Sequence, residues 1–275
     1  MKFYKKILFV IPVLALFACT TNRQNGSNTT EPTSTSEKTK SEYKVLFIGN
    51  SFTFYNSLDV LTQKIAQNLG INMTCKAFTQ GAHSLLEDTD PDDSLGKQIF
   101  ADLKVNQYTD IILQDKSNYP YNHYSDFKNG VKGMKEKIVP LQENADLHLY
   151  ETWGYNSENL TAPIPEMEAT IKKNTDMVAK AYNIHAIYVG QAFTYVYENH
   201  TNINLYHPSD NKHPSYVGTY LSALVHVASL TGKSVKNVTY QGEYGKTNEY
   251  GQVTFVDEAT KNTLIDVAER IVFGK

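Results

Sequence analysis

Two places in this sequence carry residue types that could carry out nucleophilic catalysis, and the first is a serine. Ser51 ends the tripeptide Gly49-Asn50-Ser51, which directly follows the apolar, β-favouring residues 44–48. The carboxyl end of a buried parallel strand is where open α/β sheets place ligands, so a serine there could act as a nucleophile. A strand that simply ends in a Gly-Asn turn with a capping serine fits this segment equally well.

The second place is a histidine–aspartate pair. A serine nucleophile needs a general base within hydrogen-bond reach, and the base needs a carboxylate to orient it. Asp210 and His213 lie three residues apart, before a late helix that Ser215 can cap, so one loop could present both to the same serine. A turn with Asx and proline chemistry is the alternative. His207, in an earlier His-Pro-Ser copy, is the rival base, and its spacing from His213 matches no zinc signature.

The elements that must position these residues alternate along the chain. Apolar runs predict strands at 44–48, 71–78, 110–114, 146–152 and 184–189, and helical spacing of apolar residues predicts helices that include 215–230 and 257–273. Strands separated by helices imply a parallel sheet with helices on both faces. Three intervals rich in Asn, Tyr and Pro are predicted as strand-to-helix loops that meet the substrate: 116–130, 153–165 and 191–212.

The order and spacing of the two blocks resemble the SGNH hydrolase superfamily over residues 43–275. The first block of that family usually reads Gly-Asp-Ser, and one branch reads Gly-Asn-Ser, as this chain does. The resemblance implies an α/β protein with a flavodoxin-like three-layer α/β/α sandwich and a central, mainly parallel five-stranded sheet. It also implies ester hydrolysis without cofactor or metal, through a triad of Ser51 as nucleophile, His213 as base and Asp210 as the residue that orients the base.

The resemblance further implies an oxyanion hole. In the family it consists of the backbone N–H of the serine, here Ser51, a glycine N–H in a second block and an Asn side chain in a third. Residues 80–85 match the second block and assign the glycine role to Gly81. The third block normally reads Gly-x-Asn-Asp, but this chain has Leu113-Gln114-Asp115. Gln114 could replace the Asn donor or be a strand-end residue without a catalytic role. The absence of Gly-x-Ser-x-Gly argues against the α/β-hydrolase fold.

Aromatic residues crowd the predicted rim loops. Tyr55, Tyr119 and Trp153 are the candidate substrate-binding residues, because flat rings with polar edges suit sugar faces; general packing is the alternative. We therefore expect removal of a small acyl group, foremost acetyl, from carbohydrate. A lipid or aryl ester substrate stays open, as does a non-catalytic, surface-tethered glycan-binding protein that keeps the hydrolase fold.

The N-terminus predicts export. Three lysines precede a 12-residue apolar run that ends at Ala18-Cys19 and is too short to span a bilayer comfortably. Residues 1–18 resemble a bacterial lipoprotein signal, which makes Cys19 the expected lipidated residue. Residues 19–41, mostly Ser, Thr and Asn, are predicted as a disordered tether, and 42–275 as the hydrolase-like domain. The protein is thus expected at a bacterial cell membrane, lipid-anchored on its periplasmic or cell-surface side.

The charge distribution bears on partners. The net charge is −3, and removal of the predicted signal would make the chain more acidic. No basic patch suits nucleic acid. The expected partners are therefore an acylated carbohydrate or other small ester and, through the lipid, a membrane; the sequence does not indicate an oligomeric state.

Overall fold

The computed structural model describes residues 40–156 and 162–275. The predicted signal peptide and Cys19 lie outside these ranges. Lys40 falls within the predicted tether, yet its Nζ forms ion pairs with Asp110 and Asp146 at 2.7 and 2.8 Å. The chain is therefore fixed to the folded body slightly earlier than the predicted boundary after residue 41. Within the described ranges, no helix has both the length and the apolar character needed to cross a membrane.

The central sheet of the described chain has five strands, and every neighbouring pair is parallel. In the spatial order β2-β1-β3-β4-β5, the strands are β1 (Tyr43–Gly49), β2 (Met73–Thr79), β3 (Asp110–Leu113), β4 (Asp146–Glu151) and β5 (His185–Tyr188). A separate antiparallel hairpin consists of β6 (Gly242–Thr247) and β7 (Val253–Phe255). The predicted five-stranded parallel sheet is confirmed.

Helices follow the strands. In chain order they are α1 (Ser51–Phe54), α2 (Leu58–Asn68), α3 (Leu85–Asp88), α4 (Ser94–Leu103), α5 (Tyr119–Asn122), α6 (Tyr124–Ile138), α7 (Ile164–Tyr182), α8 (Val189–Asn199), α9 (Tyr216–Thr231) and α10 (Glu258–Phe273).

Both faces of the sheet are covered, as β1 illustrates. Val45 and Phe47 belong to one buried apolar cluster, while Leu46 and Ile48 belong to another. Successive side chains of a strand point to opposite faces, so the two clusters lie on opposite sides of the sheet. Helices α2, α8, α9 and α10 contribute to the first cluster, and α4 and α6 to the second. This arrangement confirms the predicted three-layer α/β/α sandwich.

Two of the predicted rim loops are partly helical. Helix α6 begins within the interval 116–130, and α8 occupies much of the interval 191–212. The buried residues of α6 recur every three or four positions: Phe127, Val131, Met134 and Ile138. Those of α8 do the same: Val189, Ala192, Phe193 and Val196. Asn and Tyr are abundant around these positions, so the helical period of the apolar residues was not recognised in the sequence. The burial of every third or fourth residue shows that period.

Candidate active site

The side chains of Ser51, His213 and Asp210 form one hydrogen-bonded chain. Ser51 is the first residue of α1, directly beyond the carboxyl end of β1. His213 Nε2 lies 2.8 Å from Ser51 Oγ, and His213 Nδ1 lies 2.5 Å from Asp210 Oδ2. Asp210 Oδ2 can accept a hydrogen bond from a protonated Nδ1 of His213. Nε2 is then unprotonated and able to accept the proton of Ser51. This is the geometry that activates a serine nucleophile.

The loop that carries the base is an Asx turn. Asp210 Oδ1 accepts hydrogen bonds from the backbone N–H groups of Lys212 and His213 at 2.9 and 3.0 Å. Asn211, between Asp210 and Lys212, has a φ of 50°, a left-handed conformation that Asn tolerates well. Burial alone would raise the pKa of Asp210, but the hydrogen bonds from His213 and from these N–H groups outweigh it and hold that pKa below its usual value. The turn and the catalytic pair are therefore one structure rather than alternatives.

His207 has a different partner. Its Nδ1 accepts a hydrogen bond from the backbone N–H of Ser209 at 3.2 Å and lies 2.6 Å from Ser209 Oγ. Its backbone N–H donates to the carbonyl oxygen of His213 at 2.7 Å. His207 therefore shapes the loop that presents His213, and Ser51 Oγ is hydrogen-bonded to His213 instead.

Gln114 faces the protein interior. Its Oε1 accepts hydrogen bonds from Asn50 N and Thr53 Oγ1, both at 2.9 Å. Its Nε2 donates to Asn50 Oδ1 at 2.9 Å and to the carbonyl oxygen of Asp115. A Cβ on Gly49 would lie 2.5 Å from Gln114 Oε1, which explains the glycine of the first block. Because the buried amide is fully used inside the protein, the prediction that Gln114 donates to the oxyanion is wrong.

The same contacts explain Asn50. Its Oδ1 caps α1 by accepting from Phe52 N at 3.2 Å, while its Nδ2 donates to the carbonyl oxygens of His83 and Asp115 at 3.0 and 3.2 Å. A carboxylate at this position would have no hydrogen to donate and would face two carbonyl oxygens. Asn50 of the first block and Gln114 after β3 are therefore complementary hydrogen-bond partners.

Two backbone N–H groups remain as candidate oxyanion donors. Within residues 40–156 and 162–275, neither the N–H of Ser51 nor that of Gly81 donates a hydrogen bond to another protein group. Both residues line a cavity of about 340 Å³ together with His213. The nearest atom to a Cβ built on Gly81 would be 4.0 Å away, so packing does not require glycine there. The sequence assignments of Ser51 and Gly81 stay predictions that this geometry supports.

Sequence reasoning missed four polar residues that line the cavity: Lys116, Ser117, Asn118 and Lys212. Asn118 Nδ2 donates to Asn122 Oδ1 at 3.2 Å, which leaves its second N–H for another acceptor. No motif marks Asn118, but its position shortly after β3 lies within a predicted rim loop. Lys212 directly precedes His213 in the sequence, and this adjacency could have indicated that Lys212 lies near the site.

Tyr55 lines the cavity, and Tyr119 does not. The ring of Tyr55 stacks on His213, with centroids 4.2 Å apart and planes at 10°, and on its other face stacks on Tyr250 at 4.1 Å. Tyr119 lies beneath Lys116, whose Nζ is 5.4 Å from the ring centroid. Of these two candidates, only Tyr55 is positioned to touch a substrate.

Trp153 is a packing residue, so its prediction as a substrate-binding residue is wrong. Its side chain is fully buried, stacked between Phe52 at 4.4 Å and Phe193 at 4.1 Å. Its Nε1 donates to the carbonyl oxygen of Lys212 at 3.0 Å. Trp153 therefore ties the residue after Ser51 to the residue before His213. The residue type alone could not distinguish a buried packing residue from an exposed aromatic ring that binds a sugar.

One cluster in the described chain has the side-chain types of a metal site. His83 Nε2 lies 3.3 Å from both Asp88 Oδ1 and Asp93 Oδ1. Asp93 Oδ1 also caps α4 by accepting from Gly96 N at 2.7 Å, and the carbonyl of His83 accepts from Asn50. His83 follows Gly81 by two residues, so this cluster lies beside the segment that carries Gly81.

Solved structures provide the comparison with known proteins. No protein-family model matches the chain, and no curated protein matches it in sequence. A DUF4886 family protein from Bacteroides uniformis is 18% identical with a TM-score of 0.70, over 85% of this chain and 96% of its own. A candidate SGNH hydrolase from Slackia heliotrinireducens is 20% identical with a TM-score of 0.57, over 69% and 99%. The lipase/acylhydrolase from Enterococcus faecalis is 16% identical with a TM-score of 0.53, over 69% and 96%.

These neighbours agree with the architecture of the described chain. They share the overall fold, and in this chain that fold places Ser51 just after β1 and the Asp210–His213 pair just before α9. At these identities the likeness concerns the backbone rather than the reaction. The chain has the fold of the SGNH hydrolases.

Proposed function

We propose that the chain is a serine esterase. The observation that carries the proposal is the continuous hydrogen-bonded path from Ser51 Oγ through His213 to Asp210 at the floor of an open cavity. A serine with a purely structural role would not require a hydrogen bond to a histidine that a carboxylate orients. The fold shared with SGNH hydrolases supports the same reaction class.

In the first half-reaction, Ser51 Oγ attacks the carbonyl carbon of the ester while His213 Nε2 takes its proton. Asp210, kept ionised by its hydrogen bonds, stabilises the imidazolium that forms. The N–H groups of Ser51 and Gly81 point to the developing oxyanion, and the amide of Asn118 is a candidate third donor. His213 then gives its proton to the alcohol, which leaves as the C–O bond breaks.

The second half-reaction regenerates the enzyme. Water gives a proton to His213 Nε2 and its oxygen attacks the carbonyl carbon of the acylated Ser51. The tetrahedral intermediate collapses, Ser51 Oγ recovers the proton from His213, and the free acid departs. His213 Nε2 carries the proton in every step, and its 2.8 Å contact with Ser51 Oγ is used when Ser51 loses its proton in the first half-reaction and recovers it in the second.

For the substrate, we favour acetyl or another small acyl group on carbohydrate. The cavity of about 340 Å³ is small, and the ring of Tyr55 on its wall offers a flat surface to a sugar. An acetyl xylan esterase is among the structural neighbours, 15% identical with a TM-score of 0.51 over 68% of this chain and 99% of its own. Lipid and aryl esters are the competing substrates.

Export and anchoring are part of the same proposal and rest on the sequence of residues 1–19. A lipid on Cys19 would hold the enzyme at the bacterial membrane surface, where acylated carbohydrate is met. Cells fed labelled palmitate should incorporate it into the wild-type protein and not into Cys19→Ser. Equal labelling of the two proteins would reject this assignment.

The decisive experiment compares ester hydrolysis by the full chain with that of Ser51→Ala. Nitrophenyl acetate and acetylated xylo-oligosaccharides serve as substrates, and Ser234→Ala, at an exposed site, is the matched control. We expect Ser51→Ala to lower kcat by about 10⁴-fold or more and the control to match the wild type. If wild type and Ser51→Ala were equally inert on nitrophenyl, lipid and carbohydrate esters alike, the non-catalytic glycan-binding alternative would replace this proposal.

A further inference from the structure

Two lysine side chains share the cavity with the nucleophile and base. Lys116 follows β3 closely, and Lys212 directly precedes His213, so the two ammonium groups come from different loops. They are near enough for the charge of Lys116 to affect Lys212. Burial, and then this like charge, hold the pKa of Lys212 below its usual value although Asp210 acts in the opposite direction.

No carboxylate in the described chain neutralises this pair. Within residues 40–156 and 162–275, neither ammonium group forms an ion pair or donates a hydrogen bond to a protein acceptor. Each instead lies over an aromatic ring, Lys212 Nζ at 5.0 Å from the centroid of Tyr155 and Lys116 Nζ at 5.4 Å from that of Tyr119. Cation–π contacts hold an ammonium group in place and leave its N–H donors free.

The acids that influence these lysines have other partners. Asp210 is hydrogen-bonded to His213 and to two backbone N–H groups. Glu87, whose pKa Lys116 helps to lower, accepts hydrogen bonds from Ser84 as part of the cap of α3. Both lysines line the cavity, so an anion bound there could accept from their free N–H donors and offset the repulsion between the two like charges.

Building on the proposed esterase function, we infer that Lys116 and Lys212 bind an anionic group of the substrate beside the scissile ester. The substrate class is an ester that carries a carboxylate, either on the sugar, as in an acetylated uronic acid, or on the acyl chain, as in a succinyl ester. A cation pair next to Ser51 selects such esters over neutral ones by charge complementarity.

A different role for the lysines would be to stabilise the oxyanion itself. The oxyanion forms with every ester, so that role would accelerate neutral and anionic substrates alike. A lysine pair that binds an anionic group of the substrate would instead change the ratio of the rates for anionic and neutral substrates. The ratio of kcat/KM for matched anionic and neutral esters is therefore the informative quantity.

The experiment measures that ratio for the full chain with two substrate pairs. Acetylated oligogalacturonides against acetylated xylo-oligosaccharides place the charge on the sugar, and nitrophenyl succinate against nitrophenyl butyrate places it on the acyl chain. Hydrogen bonds to a charged group predict an anionic preference of about 10- to 100-fold in at least one pair. Added salt should shrink this preference.

Variants then assign the preference to the lysines. Lys116→Met and Lys212→Met keep side-chain length without charge and should each lower the anionic-to-neutral ratio by about tenfold, while Lys212→Arg should restore part of it. Lys44→Met is the matched control, because Lys44 lies in β1 near its amino end and its Nζ is 3.6 Å from Glu42 Oε2.

Two failures are distinguishable. Neutral and anionic esters hydrolysed equally well, in a reaction that needs Ser51, would overturn the anion site and leave the esterase function standing. The same conclusion would follow if Lys116→Met and Lys212→Met lowered both rates by the same factor. Absence of Ser51-dependent hydrolysis with any ester would instead overturn the proposed function.

Discussion

Replacing His213 with alanine should lower kcat for ester hydrolysis by roughly 10⁴- to 10⁶-fold, because Ser51 then has no acceptor for its proton. The prediction rests on the 2.8 Å contact between His213 Nε2 and Ser51 Oγ. Steady-state kinetics with nitrophenyl acetate would measure it, and circular dichroism would establish that the variant is folded.

His207→Ala provides the comparison for this result. His207 belongs to the same loop and lies in the same kind of His-Pro-Ser sequence, but its ring pairs with Ser209. We expect this variant to lose activity far less than His213→Ala, by about tenfold at most through a looser loop. A greater loss in His207→Ala than in His213→Ala would exchange the roles of the two histidines.

With a neutral ester, kcat/KM should rise with pH through a single ionisation. Asp210 is ionised throughout, since its hydrogen bonds keep its pKa low, so the group that must lose a proton is His213. The protonated ring cannot accept from Ser51, which makes the acidic side the inactive one. A pH–rate profile with two acidic ionisations would contradict this assignment.

Trp153→Ala should lower the free energy of unfolding by about 3–5 kcal/mol, because it leaves a cavity between Phe52 and Phe193. Trp153→Phe should keep most of the stack and lose the hydrogen bond to the carbonyl of Lys212, at about 1 kcal/mol. Because that bond positions the loop of His213, Trp153→Phe should also lower kcat. Urea unfolding and kinetics below the unfolding transition would measure both effects.

Phe127→Ala separates the two contributions of Trp153. Phe127 is equally buried, but it belongs to the apolar cluster on the opposite face of the sheet from Trp153. Its truncation should destabilise the protein comparably while leaving kcat of the folded fraction unchanged. If Trp153→Phe and Phe127→Ala both left kcat at the wild-type value, Trp153 would have no positioning role.

The parallel sheet and the meeting of Ser51 with His213 were predictable because they follow from patterns along the chain. Buried parallel strands are continuously apolar, and the ends of such strands meet at one edge of the sheet. Block order then identified the loop of Asp210. These inferences required the order of elements and the resemblance of the two blocks to the SGNH hydrolase superfamily.

The direction of individual side chains was not predictable in this way. Gln114 stands at the expected strand end, but its amide turns inward because Asn50, the N-cap of α1, and Thr53 of α1 offer it hydrogen-bond partners. Trp153 follows β4 in a rim segment, yet it is enclosed by rings that come from distant parts of the chain. Both outcomes depend on tertiary neighbours, so no local pattern records them.

The hairpin of β6 and β7 escaped prediction for a simpler reason. Its strands are short and largely exposed, and the sequence Gly-Glu-Tyr-Gly-Lys-Thr of β6 has no apolar alternation. Hydrophobic period is informative only where a face is buried. The hairpin is held instead by contacts such as the ion pair between Lys64 and Glu243 at 2.9 Å.

That hairpin nevertheless reaches the catalytic base. Tyr250, in its turn, is the far member of a three-ring column in which Tyr55 lies between it and His213. Tyr55 covers one face of the imidazole, and Tyr250 covers the other face of Tyr55. This stacking requires that the hairpin turn keeps Tyr250 in contact with Tyr55. The turn at Tyr250 therefore helps to fix the orientation of the His213 ring, so a change in that turn would alter the proposed proton transfer without contacting the substrate.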